Sequence, residues 1–274
     1  ADYLIIETGI DIQEMRAALL AAKEAAPAIP VICQLSYSED GRTVTGTDPQ
    51  SAAIILEAMG ADVIGVNCSL GPEQLVPIVQ TLAENCDLPI SVQPNAGMPY
   101  LENGETIFPM HPDDFGNWAP KLLAAGATYI GGCCGTTPAH IKALAAALHG
   151  AKDPVRADRP HRLWLASRSK SICIDQHLPT VLIGERINPT GRKKLAAEIR
   201  EGLLLSVKKE AVNQVKAGAQ VLDVNMGVGG IDQTAAMKQA ITEISQLTDA
   251  PLAIDTSDAS ALEAGLRAYP GRAL

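Results

Sequence analysis

Ala125-Gly126-Ala127-Thr128-Tyr129-Ile130-Gly131-Gly132-Cys133-Cys134 repeats the plan of Met59-Gly60-Ala61-Asp62-Val63-Ile64-Gly65-Val66-Asn67-Cys68. In each stretch a helix ends in Gly-Ala, a short apolar strand follows, and cysteine stands where the strand meets a turn. Cys68 lies eight positions after Gly60; Cys133 and Cys134 lie seven and eight after Gly126. Equal offsets in repeated helix-turn-strand units put all three thiols at the same end of one parallel sheet. Three convergent thiolates with an open fourth position predict a catalytic zinc site rather than a closed structural one. Taken singly, each cysteine reads as a small apolar filler at a tight turn. The Cys-Cys pair, matched by a third cysteine at the same depth, is what separates these from fillers. Cys33 inside a strand, Cys86 at a helix end and Cys173 farther along keep the filler reading.

Working outward, short apolar runs alternate with amphipathic stretches along the whole chain. Strands are predicted at Tyr3-Ile6, Val31-Leu35, Val63-Asn67, Ile90-Gln93, Tyr129-Gly132, Val181-Gly184, Val221-Asn225 and Leu252-Asp255. Pro30, Pro89 and Pro251 lead into three of them, where a missing donor matters least. Helices are predicted at Asp48-Met59, Pro72-Asn85, Pro112-Ala125, Pro138-Leu148 and Leu195-Ala217, several with proline in the first turn. This βα repeat makes parallel sheets.

About eight strands would suit one (β/α)8 barrel, but the stretch from Gly150 to Arg162 argues otherwise. It is polar, proline-bearing and basic, and with Ser167-Arg168-Ser169-Lys170 it continues the break. A structureless loop that long is uncommon inside one compact domain. The fold class is therefore α/β with two (β/α)8 barrels, both truncated. Residues 1-150 are the C-terminal part of the first, 151-179 a linker, and 180-274 the N-terminal part of the second. The chain opens in a strand pattern and stops after a helix, as expected of a piece of a longer protein.

Composition narrows the function. Hydrophobic residues make up 47% of the 274 and aromatics only 3%, the balance of helices packed on parallel strands. A net charge of -9 argues against nucleic acid. No apolar run is long enough to span a bilayer, and no secretory pattern opens the chain. Six cysteines in a long, core-rich chain suggest free thiols and a cytoplasmic setting rather than a disulfide framework.

The second half places Glu185 and Asn188, Asp223 and Asn225, and Asp255 at strand ends, where barrel active sites lie. Asp223 and Asn225 are two apart and share a face of one strand. A ring of carboxylates and amides with no basic nucleophile suits a flat heterocycle rich in N-H donors. In a pterin, a ring N-H and the adjacent amino group can both donate to one carboxylate. Singly, each aspartate could instead cap the helix that follows.

Val66-Asn67-Cys68-Ser69-Leu70-Gly71-Pro72 and Gly131-Gly132-Cys133-Cys134-Gly135-Thr136-Thr137-Pro138, with Gln93-Pro94-Asn95-Ala96-Gly97, resemble the homocysteine-binding domain of the cobalamin-dependent methionine synthases. From about 180 to 274 the chain resembles the pterin-binding domain of the same family and, more distantly, dihydropteroate synthase. The resemblance implies Cys68, Cys133 and Cys134 as zinc ligands with homocysteine sulfur in the fourth place. It implies Glu7 at the substrate amino group, with Asn67, Asn95 and Thr136 as weaker candidates for lining the site. It also implies Glu185, Asn188, Asp223, Asn225 and Asp255 as pterin contacts. The implied reaction is methyl transfer from 5-methyltetrahydrofolate via cobalamin (methylcobalamin) to homocysteine, giving methionine and tetrahydrofolate. Cobalamin would be held by domains outside this sequence, which makes a cobalamin-binding domain the expected partner. Three alternatives stay open: a zinc-dependent homocysteine S-methyltransferase with a non-corrinoid donor, a corrinoid/pterin methyltransferase, and a non-catalytic zinc-binding module.

Overall fold

The computed structural model describes residues 1–154, 159 and 162–274. They fall into two compact units, Ala1–Pro160 and His161–Leu274. No helix among the described residues is long and apolar enough to cross a membrane.

The first unit opens with β1 (Leu4–Gly9), α1 (Ile12–Ala25), β2 (Val31–Leu35), α2 (Pro49–Ala58), β3 (Val63–Asn67), α3 (Pro72–Asn85) and β4 (Ile90–Gln93). A hairpin of β5 (Tyr100–Glu102) and β6 (Glu105–Ile107) follows, then α4 (Pro112–Gly116), α5 (Ala119–Ala124), β7 (Ala127–Ile130) and α6 (Pro138–Ala147). The main sheet runs β1-β2-β3-β4-β7, with every pairing parallel. Helix starts are set by caps. Asp11 accepts the Gln13 and Glu14 amides, and Asp48 accepts that of Ser51 just before Pro49. One face of the sheet meets the helices. On the other face, Gln34 Nε2 reaches across β3 to Ser91 Oγ at 2.7 Å. Gly65 lies between them in register, and a Cβ there would stand 2.0 Å from the Ser91 carbonyl oxygen.

The second unit starts with an antiparallel hairpin, β8 (Leu163–Ala166) and β9 (Ser171–Ile174). A parallel sheet in the order β10-β11-β12 follows, from β10 (Ile183–Ile187), β11 (Val221–Asn225) and β12 (Leu252–Asp255). Helices α7 (Lys193–Arg200), α8 (Leu205–Lys216), α9 (Gln233–Leu247) and α10 (Ala259–Ala268) connect the strands and follow them. Leu222, Val224, Leu252 and Ile254 join the core formed with the helices. Val221 and Ala253, on the opposite face, pack instead with Leu165 and Ile172 of the hairpin.

Several expectations need correction. Residues 163–174 are a hairpin, not linker; of the stretch 150–162, residues 155–158, 160 and 161 lie outside those described. Each hairpin strand is only four residues long, and Ser167 closes the turn by accepting the Ser169 and Lys170 amides. Cys173 therefore sits in β9, opposite Trp164. The single helix expected from Pro112 breaks into α4 and α5, because Pro120 has no N–H for the Gly116 carbonyl. The helix expected over Leu195-Ala217 is also two. Gly202 adopts a φ of 72°, and its amide and that of Leu203 close on Ile199 and Glu198, a Schellman ending. Strands β1, β7 and β10 are shifted from expectation, and two of these shifts matter for function.

Candidate functional site

β3 and β7 flank β4 and end at the same edge of the sheet, and the chain turns sharply after each. Cys68 and Ser69 both adopt left-handed φ values, 61° and 59°. The Cys68 amide donates to the Gln93 carbonyl at 3.0 Å and the Cys133 amide to that of Pro94 at 2.8 Å. Asn95 Oδ1 accepts the Cys134 amide at 3.2 Å, and Thr136 Oγ1 donates to the Cys133 carbonyl at 2.7 Å. Gly135, at a φ of 78°, has no room for a side chain: a Cβ would stand 2.3 Å from Phe108.

These turns bring Cys68 Sγ within 3.7 Å of Cys134 Sγ and Cys133 Sγ within 4.0 Å of Cys134 Sγ. All three sulfurs lie within 4.8 Å of one another. Thiolates placed tetrahedrally about 2.3 Å from zinc stand roughly 3.8 Å apart, so the spacing fits that ion. Burial, then the neighbouring Cys68 and Cys134, pushes the Cys133 thiol up to about 12. Three thiols this close cannot all ionise without a cation among them.

Asn67 is fully buried beside this cluster. Its Oδ1 accepts the Thr8 amide at 2.7 Å; its Nδ2 donates to Thr8 Oγ1 at 2.8 Å and to Glu7 Oε2 at 3.3 Å. The same Nδ2 lies 3.9 Å from Cys133 Sγ. Glu7 itself is exposed. The structure thus brings Glu7, Asn67 and the three cysteines together. Asn67 spends both its amide atoms on the protein, holding Thr8 and Glu7, and Asn95 spends its Oδ1 on the Cys134 turn.

Thr8 was not legible as part of this group. Leu4, Ile5 and Ile6 pair with Val31, Ile32 and Cys33, but Gly9 pairs with Leu35. Three steps on β1 thus match two on β2, so Glu7 and Thr8 together stand opposite Gln34. This is a β-bulge, and Thr8 takes a φ of 57° within it.

In the second unit, Asn188 Nδ2 donates to Glu185 Oε1 at 2.8 Å, and Asn225 Nδ2 donates to Asp255 Oδ2 at 2.8 Å. Asn188 and Asn225 in turn accept the Thr190 and Gly227 amides. Asp223 lies on the strand between the two braced carboxylates. Its Oδ1 is buried and has no hydrogen-bond partner. Burial first, then Asp255 and Glu185, lifts its carboxyl to about 6.

The sequence model described as Homocysteine S-methyltransferase matches residues 1–148, more than half of the chain. The chain belongs to the homocysteine S-methyltransferase family. A second model, Pterin binding enzyme, matches residues 184–274. The methionine synthases of Mycobacterium tuberculosis and Mycobacterium leprae are 31% and 30% identical to it, over 99% of the chain in each case. The chain spans 23% of the length of either relative. The apo structure of the Escherichia coli homocysteine methyltransferase MmuM is 28% identical; the match covers 54% of this chain and 49% of that one, with a TM-score of 0.44. Its metallated form is also 28% identical, over 53% and 45% of the two chains, with the same TM-score.

Within this chain the residues not legible in the sequence are the ones that brace others. His140 is one. Its Nδ1 accepts the Thr137 amide at 3.1 Å and its Nε2 bonds the Met110 carbonyl at 2.9 Å, tying α6 to the segment after the β5–β6 hairpin. The Thr-x-x-His spacing at the start of α6 is the signal that could have found it.

Proposed function

We propose that this chain supplies the homocysteine-binding and folate-binding parts of a cobalamin-dependent methionine synthase. Residues 1–150 would hold homocysteine and residues from about 180 onward the pterin, with the hairpin of β8 and β9 beneath the latter. The reading rests on one observation above the rest: three cysteine sulfurs at zinc-ligand spacing, with an exposed carboxylate, Glu7, tied to them through Asn67.

In this reading Cys68, Cys133 and Cys134 bind zinc. The ion would leave one tetrahedral place for the substrate sulfur and lower the pKa of a thiol there. Glu7 accepts the ammonium group of homocysteine, a charge-assisted contact at a strand end. Asn67 keeps that carboxylate turned toward the sulfurs, and Asn95 fixes the backbone of Cys134. In the second unit Asp223 accepts the paired N–H groups of the pterin through its two carboxylate oxygens, of which Oδ1 has no partner within the chain. Glu185 and Asp255 flank it, each already oriented by an asparagine. Overall, the N5–CH3 bond of 5-methyltetrahydrofolate breaks and an S–CH3 bond forms, with cobalamin, held by another part of the protein, as carrier. The thiol proton ends on N5, giving methionine and tetrahydrofolate. All six cysteines are free, in accord with a cytoplasmic setting.

The test is zinc per chain on folded, monodisperse protein, followed by X-ray absorption at the zinc edge with and without homocysteine. The expected result is one zinc whose sulfur count rises from three to four. Folded protein that takes up no zinc would overturn the reading.

A further inference from the structure

β10 carries the same irregularity as β1. Ile183 and Gly184 pair with Val221 and Leu222, but Ile187 pairs with Val224. Three steps on β10 match two on β11, so Glu185 and Arg186 together face Asp223. Asn188, the first residue after β10, then donates to Glu185 at 2.8 Å. The bulge also returns Ile187 to the face packed against the helices, where it is fully buried.

A bulge takes one residue's backbone out of the ladder, and those groups need other partners. Here the residue is Arg186: α8 serves its amide directly and its carbonyl only through Arg192, the residue just before α7. Gln214 Oε1 accepts the Arg186 amide at 2.7 Å. The Arg186 carbonyl accepts from the guanidinium of Arg192, which is itself paired with Glu210. Glu210 and Gln214 are four apart and lie on one side of the helix. Gln214 is 8% exposed, and its Nε2 has no partner, so its one polar commitment is to β10. Gly184 makes the reach possible: a Cβ there would stand 2.7 Å from Gln214 Oε1.

We propose that Gln214 is a positioning residue for the pterin face, pinning the β10 bulge from behind so that Glu185 and Asn188 both turn toward Asp223. The inference rests on the pterin reading for its functional consequence, while the pinning itself is a property of the chain alone. Gln214 never touches the ligand; it acts through the backbone of Arg186.

The experiment measures 5-methyltetrahydrofolate binding by calorimetry on the full chain and on Gln214→Met, Gln214→Glu, Glu185→Ala and the Gln214→Met/Glu185→Ala double variant. Gln214→Met keeps the shape and deletes the acceptor, and binding should weaken about tenfold. Gln214→Glu restores an acceptor and most of the affinity. In the Glu185→Ala background, Gln214→Met should cause a clearly smaller loss, the part carried by Asn188. Unchanged binding in Gln214→Met, or an equal loss with and without Glu185, would overturn the proposal, since a merely structural glutamine acts regardless of Glu185. Should Gln214→Met not fold, Gly184→Ala pushes the same side chain off the strand and takes its place. If the parent chain does not bind the folate, the pterin reading fails, and amide hydrogen exchange decides the pinning. The Arg186 amide should exchange at least about tenfold faster in Gln214→Met than in Gln214→Glu; equal rates would refute it.

Discussion

β1 and β10 open the two sheets, and each presents a glutamate from a one-residue bulge: Glu7 with Thr8, and Glu185 with Arg186. In each the amide after the glutamate is caught by a side-chain amide oxygen, Asn67 Oδ1 or Gln214 Oε1, at 2.7 Å. The difference is where the catch comes from. Asn67 reaches from two strands away on the site's own face and lies 3.9 Å from Cys133 Sγ. Gln214 reaches from a helix behind the sheet. The first unit therefore couples its carboxylate through Asn67 to its cysteine cluster. The second supports its glutamate backbone from behind the sheet, and on the face itself Asp223 Oδ1 stays without a partner.

The largest effect should come from the metal ligands. Cys134→Ala should abolish zinc binding, read as zinc per chain; retained stoichiometric zinc would detach the β1 bulge from any metal centre. Next, Asn67→Leu removes the acceptor of the Thr8 amide and releases Glu7, and should cost about 1 kcal/mol in urea unfolding. It should also weaken zinc binding, whereas no change at the second site should reach the metal. Asp223→Asn is the matching test there: folate affinity should fall roughly fiftyfold by calorimetry while zinc content stays at one per chain.

A pH series sharpens the contrast further. Asp223 titrates near 6 in the fold because of burial, Asp255 and Glu185. The unfolded carboxyl titrates near about 4, so the folded unit holds the proton more tightly. Its contribution to stability is full below about pH 4 and is lost as pH rises through about 6. Pterin binding needs the ionised acceptor and should run the other way, strengthening about tenfold from pH 5 to 7. Parallel trends in denaturation and binding would sink the assignment. The smallest effect is expected from Cys33→Ala. Burial raises that thiol to about 12, with Lys23 opposing and Asp62 adding. Loss of about 1 kcal/mol in unfolding with zinc unchanged would confirm it as core.

The cysteine cluster was legible because it depends on strand ends, and equal offsets from Gly60 and Gly126 fix those whatever the detail between. The parallel βα order was legible for the same reason, from apolar runs and proline-led helices. The bulges were not. A bulge changes pairing by one residue and leaves no mark in composition, so Glu7 and Glu185 were found but Thr8, Arg186 and Gln214 were not. The hairpin at 163–174 was missed because its four-residue strands lie among basic and polar neighbours. The breaks at Pro120 and Gly202 were readable and were overridden by the apolar period on either side.

That hairpin has a consequence for how the second site can be approached. Leu165 and Ile172 close one end of the sheet's free face against Val221 and Ala253, two positions below Asp223 and Asp255 on the same strands. The hairpin thus covers the face below the two aspartates, while Asp255 stays exposed above it. On the proposed reading a pterin would meet Asp223 with its donor edge leading and its tail pointing away from the hairpin.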